Sequence, residues 1–299
     1  MKKLFTLFAV LSFSLLSAQG TSSNLRRVSR EVEKTLSITS DIIDGVMTYE
    51  KEKKISPLIE EQFNIWRKSK RSMARLNEAE EAQLVRVVEE SLGQVIELTS
   101  LNLRDWLNED PRSSYGHTYV SQMQSLFDAI SQEINTYATQ YDINVRESAV
   151  VKRFNAQMEL VTYTKGMKAG ASEVDSLVAY LQSEIGTTDL DKLYAAQKLL
   201  IKALSKHIRG YGDELFYNGQ TELYESYQKY YQELLELAAA DLLADLTKMK
   251  YDLVEFNSIA TSTEASARKT LSFFDNEMKL LAKREARFVK KNLPKAPKK

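Results

Sequence analysis

Apolar residues recur along this chain at alternating steps of three and four. Val120, Met123, Phe127, Ile130, Ile134, Tyr137 and Tyr141 form the clearest run. That spacing places all seven side chains on one stripe of an α-helix. Leu190, Leu193, Gln197, Leu200, Leu204, His207 and Tyr211 repeat it, and so do Ala267, Leu271, Phe274, Met278, Leu281, Glu285 and Phe288. Leu25, Val28, Val32, Thr35, Thr39, Ile42, Val46 and Tyr49 carry the same pattern with weaker residues. A mean step near 3.5 is the spacing of helices packed lengthwise in bundles and coiled coils. The pattern predicts an all-α protein, an elongated bundle of about eight or nine long helices with coiled-coil-like packing.

Breakers divide the stripes. Ile55-Ser56-Pro57 reads as a helix end, because proline disfavours the helical conformation of the residue before it. Asn77 with Glu80 reads as an N-cap and its partner. The run Asn108 to Gly116 reads as a loop, and Gly166 to Ser172 as a weaker break followed by a Ser172–Asp175 cap. Gly186-Thr187-Thr188, Gly210 to Gly219 and Thr261 to Thr263 mark the remaining divisions. Helices are therefore predicted over 22–54, 58–75, 78–107, 117–141, 145–168, 173–185, 189–209, 221–259 and 264–291. Within 221–259 the stripe Leu223, Tyr227, Tyr230, Leu234, Leu237 passes to Leu242, Leu246, Met249, Leu253, Phe256 by one five-residue step. A slip of that size implies a kink, a local unwinding or a change of packing partner at 237–242. No motif recurs at a fixed period, so a solenoid of short repeats is not expected. The reading is one bundle over 21–291, with a subdivision near 142–172 as the alternative, and a basic flexible tail over 292–299.

The first residues depart from the helical stripes. Lys2 and Lys3 precede about 13 mostly apolar residues, Leu4 to Leu16, and small residues follow at Ala18 and Gly20. This is the layout of a secretory signal peptide, 1–20, with cleavage expected after Gly20. The apolar stretch falls short of the roughly 20 residues that span a bilayer. The short charged start points to a bacterium, and the protein is expected in the periplasm or on the cell exterior. The chain has 0 cysteines, so neither disulfides nor a lipoprotein anchor are available and a hydrophobic core must hold the fold. Of 41 Lys and Arg, Lys2 and Lys3 would leave with the signal, setting 39 against 41 Asp and Glu. That balance argues against a nucleic-acid partner. No transmembrane span is expected after signal removal.

Motifs that carry chemistry are scarce. The 2 histidines, His117 and His207, belong to no Glu-x-x-His or His-Glu-x-x-His pattern, which removes the di-iron bundle and the common zinc peptidases. Ser226 with Lys229 and Ser266 with Lys269 match Ser-x-x-Lys but sit mid-helix without companion motifs. Gly210-Tyr211-Gly212 follows a helix, where a dinucleotide fingerprint follows a strand. Asp241 and Asp245 lie one turn apart and could share a cation, although a solvated face explains them, and Asp252, more simply. No metal and no cofactor are expected.

Two features suit binding. Tyr211, Tyr217, Tyr224, Tyr227, Tyr230 and Tyr231 cluster, and Tyr224, Tyr227 and Tyr231 share a helical face that Phe216 would extend. Tyrosine joins an apolar ring to a polar rim and fits half-exposed recognition surfaces, or the wet interface between two helices. Lys290, Lys291, Lys295, Lys298 and Lys299 make the C-terminal end basic, fit to touch an anionic envelope surface or to complement a helix C-terminus. With its signal and long helices the chain resembles exported helical-bundle proteins of bacteria, a resemblance that carries no functional residue over. The expected function is a non-enzymatic interaction or scaffold module at the bacterial cell envelope, bound to a protein, an envelope component or itself. A carrier of a small ligand or metal between helices, and an enzyme whose site assembles in three dimensions, are the alternatives.

Overall fold

The computed structural model describes residues 21–48, 50–76, 82–108, 115–145, 147–187, 189–209 and 217–296. Among them the chain is all-α and no strand forms. The helices are α1 (Thr21–Met47), α2 (Glu52–Met73), α3 (Ala82–Asn108), α4 (Tyr115–Gln140), α5 (Ala149–Glu184), α6 (Leu190–Arg209), α7 (Glu222–Glu236), α8 (Leu242–Phe256) and α9 (Thr261–Asn292). A 3-10 turn, Ala74–Leu76, closes α2, and a π-helical turn, Leu237–Asp241, joins α7 to α8.

These elements form two compact units. Described residues up to 162, together with those from 289 onward, make the first, and those between 163 and 288 make the second. One boundary therefore falls inside α5 and the other near the end of α9.

In the first unit α1 packs on α2, α3 and α4. Its seam with α2 is antiparallel, because Arg27 bonds Ser72, Glu31 accepts from Ser69 and Thr39 accepts from Gln62. The weak residues of the α1 stripe are explained here. Thr35 and Thr39 are buried and return their hydroxyls to the carbonyls of Glu31 and Thr35. Hydrogen-bonded polar groups can occupy a core at little cost. The α4 stripe packs its Phe127 edge-on against Phe154 of α5, centroids 5.3 Å apart, a geometry worth about 0.5–1.5 kcal/mol beyond area burial.

The second unit is a four-rod antiparallel bundle. Tyr227–Glu285, Asp245–Thr270 and Asp252–Ala260 pair α7 and α8 with α9 in opposite directions. His207–Gln228 and Gln197–Ala238 do the same for α6 against α7 and the π turn. Gln182–Asp275 and the Arg268 bond to the Ile185 carbonyl align the end of α5 with α9. The five-residue step read from the sequence is the π turn itself. The Leu242 N–H bonds the Leu237 carbonyl, so one turn widens and the stripes stay on the core side as far as Met249. Gln197 donates to the Ala238 carbonyl at 2.8 Å, satisfying the disturbed ladder from the neighbouring helix.

Several predicted boundaries move. The first helix ends at Met47, before the predicted stop, and Pro57 lies inside α2. The bond that Pro57 cannot make falls on the exposed Lys53, whose carbonyl water can satisfy. The helices predicted over 145–168 and 173–185 are one, α5, with Gly166, Gly170 and Ser172 all inside it. Tyr115 and Gly116 open α4 where a loop was predicted. Gly186 does end α5, at φ +98°, and Asn257, at φ 58°, ends α8 with its N–H on the Leu253 carbonyl. The Asn77–Glu80 cap lies outside the described residues, as do residues 1–20.

Candidate functional site

The clustered tyrosines turn inward. Tyr227, Tyr230 and Tyr231 are fully buried in the second unit, so Tyr227 and Tyr231 belong to its interior and do not form a half-exposed face. Their hydroxyls lie where other helices bring acceptors. Tyr227 donates to Glu285 at 2.8 Å, and Tyr230 donates to Asp175 at 3.3 Å. Tyr231 stacks on His207, centroids 5.4 Å apart. His207 Nε2 lies 2.7 Å from a Glu173 carboxylate oxygen that Lys206 also approaches, and the His207 bond, followed by Lys206, holds the Glu173 carboxyl below its ordinary value. Glu285 can sit on an apolar stripe because a tyrosine from another helix bonds it.

Tyr224 is half-buried. Tyr217 is half-buried too, its ring 5.5 Å from Tyr163 and 6.2 Å from Phe288. Burial pushes the Tyr163 hydroxyl up to about 12. Tyr211 and Phe216 lie outside the described residues, and so does the His117 side chain. Lys290 and Lys291 are exposed in the last turn of α9 and Lys295 is exposed beyond it, while Lys298 and Lys299 lie outside the described residues.

Of the remaining candidates Asp241 is exposed, and Asp245, Asp252, Ser226 and Ser266 are occupied by structural contacts. Asp245 accepts from Ser266 and Thr270 at 2.7 and 2.6 Å, and Asp252 accepts the Ala260 N–H. Ser226 donates to the Glu222 carbonyl while Lys229 pairs with Glu233, so that serine does not meet its lysine. Among the described residues no three His, Asp or Glu side chains are placed to hold a metal ion. Glu277 of α9 meets Glu233 of α7, and burial, then this neighbour, raises the Glu277 carboxyl above its ordinary value.

The first unit holds a buried arginine paired with two carboxylates. Arg153 of α5, 5% exposed, reaches Asp41 at 2.7 Å and Asp44 at 2.5 Å on α1. Gln157, one turn on, donates to Asp44 and to the Ser40 carbonyl. Burial pushes the Asp44 carboxyl up, against Arg153 and Gln157, which pull it down.

The C-terminal end of α8 presents what sequence reading missed. Tyr251, Val254 and Phe256 are 59%, 74% and 67% exposed, and the Tyr251 and Phe256 rings meet edge to face. Phe256 was read as the last core position of its stripe and instead faces solvent. Leu243 and Val254 follow core positions by one residue, and Tyr251 lies three before Val254 on the same flank, so a second, shallower period was the available signal. No protein-family model, no curated protein and no solved structure matches this chain.

Proposed function

We propose that this chain is an exported, non-enzymatic helical module that binds another protein at the bacterial cell envelope. One observation carries the reading: three large apolar side chains, Tyr251, Val254 and Phe256, are exposed within six residues at one end of α8, and the Tyr251 and Phe256 rings meet. Single exposed apolar residues are ordinary, whereas exposed aromatic rings in contact, with a further exposed apolar side chain close by in the chain, mark interaction surfaces. Two further features support it. The tyrosines and carboxylates of the second unit hydrogen-bond one another across helices, which accounts for them structurally. The layout of residues 1–20 supports export. Among the described residues no helix is long and apolar enough to cross a membrane.

The test is capture of envelope proteins by the wild-type chain and by the double variant Val254→Asp, Phe256→Asp. Burying a carboxylate in an apolar contact costs enough to weaken capture by about 30-fold or more. The variant keeps its helical circular dichroism, since both residues are exposed. Undiminished capture by the variant would remove the α8 end from the interface.

A further inference from the structure

The outward face of α9 is segregated by charge. Between residues 265 and 287 its exposed positions include Lys269, Lys279, Lys283 and Arg287, and no carboxylate lies among them. The four acidic residues of α9 are all buried or part-buried and all are engaged. Glu264 pairs with Arg268 at 2.7 Å, and Asp275 accepts from Gln182. Glu277 meets Glu233, and Glu285 accepts from Tyr227. Among the described residues the four outward cations make no ion pair. At 3.6 residues per turn, Phe273 and Leu280 fall on one edge of the same outward arc. They are 46% and 42% exposed. Cations free of carboxylates, mixed with two large apolar side chains, are the composition of a helix face that rests at a lipid–water boundary.

We infer that this face of α9 docks on an anionic phospholipid surface, with Lys279, Lys283 and Arg287 over the headgroups and Phe273 and Leu280 entering between them. The opposite face of α9 is packed in the bundle, so the contact is peripheral and shallow. An acidic protein would be matched by the charges alone, but the two apolar side chains set among them favour lipid. The inference rests on the envelope location proposed above, which gives the face access to such a surface.

The test uses protein expressed from the full chain and purified as the cell leaves it. It is floated with vesicles of phosphatidylcholine alone or with added phosphatidylglycerol. Wild type is expected to bind the anionic vesicles at least about 10-fold better than the neutral ones, and to be released by high salt. Lys279→Gln, Lys283→Gln, Arg287→Gln together weaken that binding by about 10-fold or more. Phe273→Ser with Leu280→Ser weakens it by a few-fold while leaving the salt response in place. Three outcomes overturn the inference: no preference for anionic vesicles, a charge variant that binds like wild type, or soluble polyphosphate that binds wild type as tightly as vesicles do. The α8 variant separates the two proposals. If vesicle binding fails while Val254→Asp, Phe256→Asp still abolishes protein capture, only the lipid inference falls. If capture is unaffected while vesicle binding behaves as stated, only the protein-partner reading falls.

Discussion

Replacing Arg153 with alanine lowers the stability of the first unit by about 3 kcal/mol. Arg153 is buried and links α5 to α1 through Asp41 and Asp44, residues more than a hundred positions earlier. Removing one member of a buried ion pair leaves the other desolvated without compensation, at about 3–5 kcal/mol. The lower end applies because both carboxylates keep some solvent contact, Asp44 at 23% and Asp41 at 40% exposure. The deficit depends on pH with a definite sign. Burial already raises the Asp44 carboxyl above its ordinary 3.8, and Arg153 opposes that rise. Without Arg153 the folded-state value climbs further. A carboxyl raised in the folded state contributes stability while protonated, and this is lost as pH rises through the folded value. The Arg153→Ala deficit is therefore largest at neutral pH and shrinks toward pH values near 4. Urea unfolding followed by circular dichroism at several pH values measures it. Adding Asp44→Asn to the variant recovers part of the loss, because the stranded charge is gone. A deficit below about 1 kcal/mol at neutral pH, or one that grows on acidification, contradicts the account.

Two glycines of the same helix respond in opposite directions. A Cβ at Gly170 would stand 2.6 Å from the Tyr231 hydroxyl and 2.7 Å from His207 Nδ1. Neither neighbour yields easily, because Tyr231 is fully buried among other rings and His207 is bound to Glu173. Gly170→Ala gains about 1 kcal/mol of helix propensity and loses about 1–3 kcal/mol to overpacking, for a net loss of up to about 2 kcal/mol. At Gly166 a Cβ meets nothing within 4 Å. Gly166→Ala keeps only the propensity gain and raises stability by about 0.5–1 kcal/mol. Thermal unfolding of the two variants side by side decides the matter. Two shifts of the same sign would mean that the Tyr231–His207 pair does not press on α5.

The elements that declared themselves in the sequence are those whose information is local. Val120, Met123, Phe127, Ile130, Ile134 and Tyr137 are all buried on α4, and the whole α9 stripe from Ala267 to Phe288 is buried, Glu285 included. The five-residue step at 237–242 announced the π turn, because a register shift along one rod is visible within that rod. What escaped depends on residues far apart in the chain. Gly170 looks like a helix stop until Tyr231 and His207 arrive from other helices and occupy the space its missing side chain leaves. Tyr227 fits both a half-exposed surface and a wet helix interface until Glu285 is placed opposite it. Arg153 and Asp44 carry no local mark of their pairing. The exposed end of α8 escaped because Phe256 continues the core period for one step beyond the place where the core ends. Likewise, the carboxylate-free face that makes α9 outwardly basic follows from where its carboxylates find partners, which the spacing alone does not reveal.

We propose that this protein meets a protein partner through the solvent-exposed apolar end of α8. A photoreactive residue introduced at Val254 in the producing cell tests it most directly, with the exposed, ion-paired Lys192 as the control position. A discrete cross-linked product is expected from position 254 and none from position 192. Equal products from both positions, or none from position 254, would contradict it.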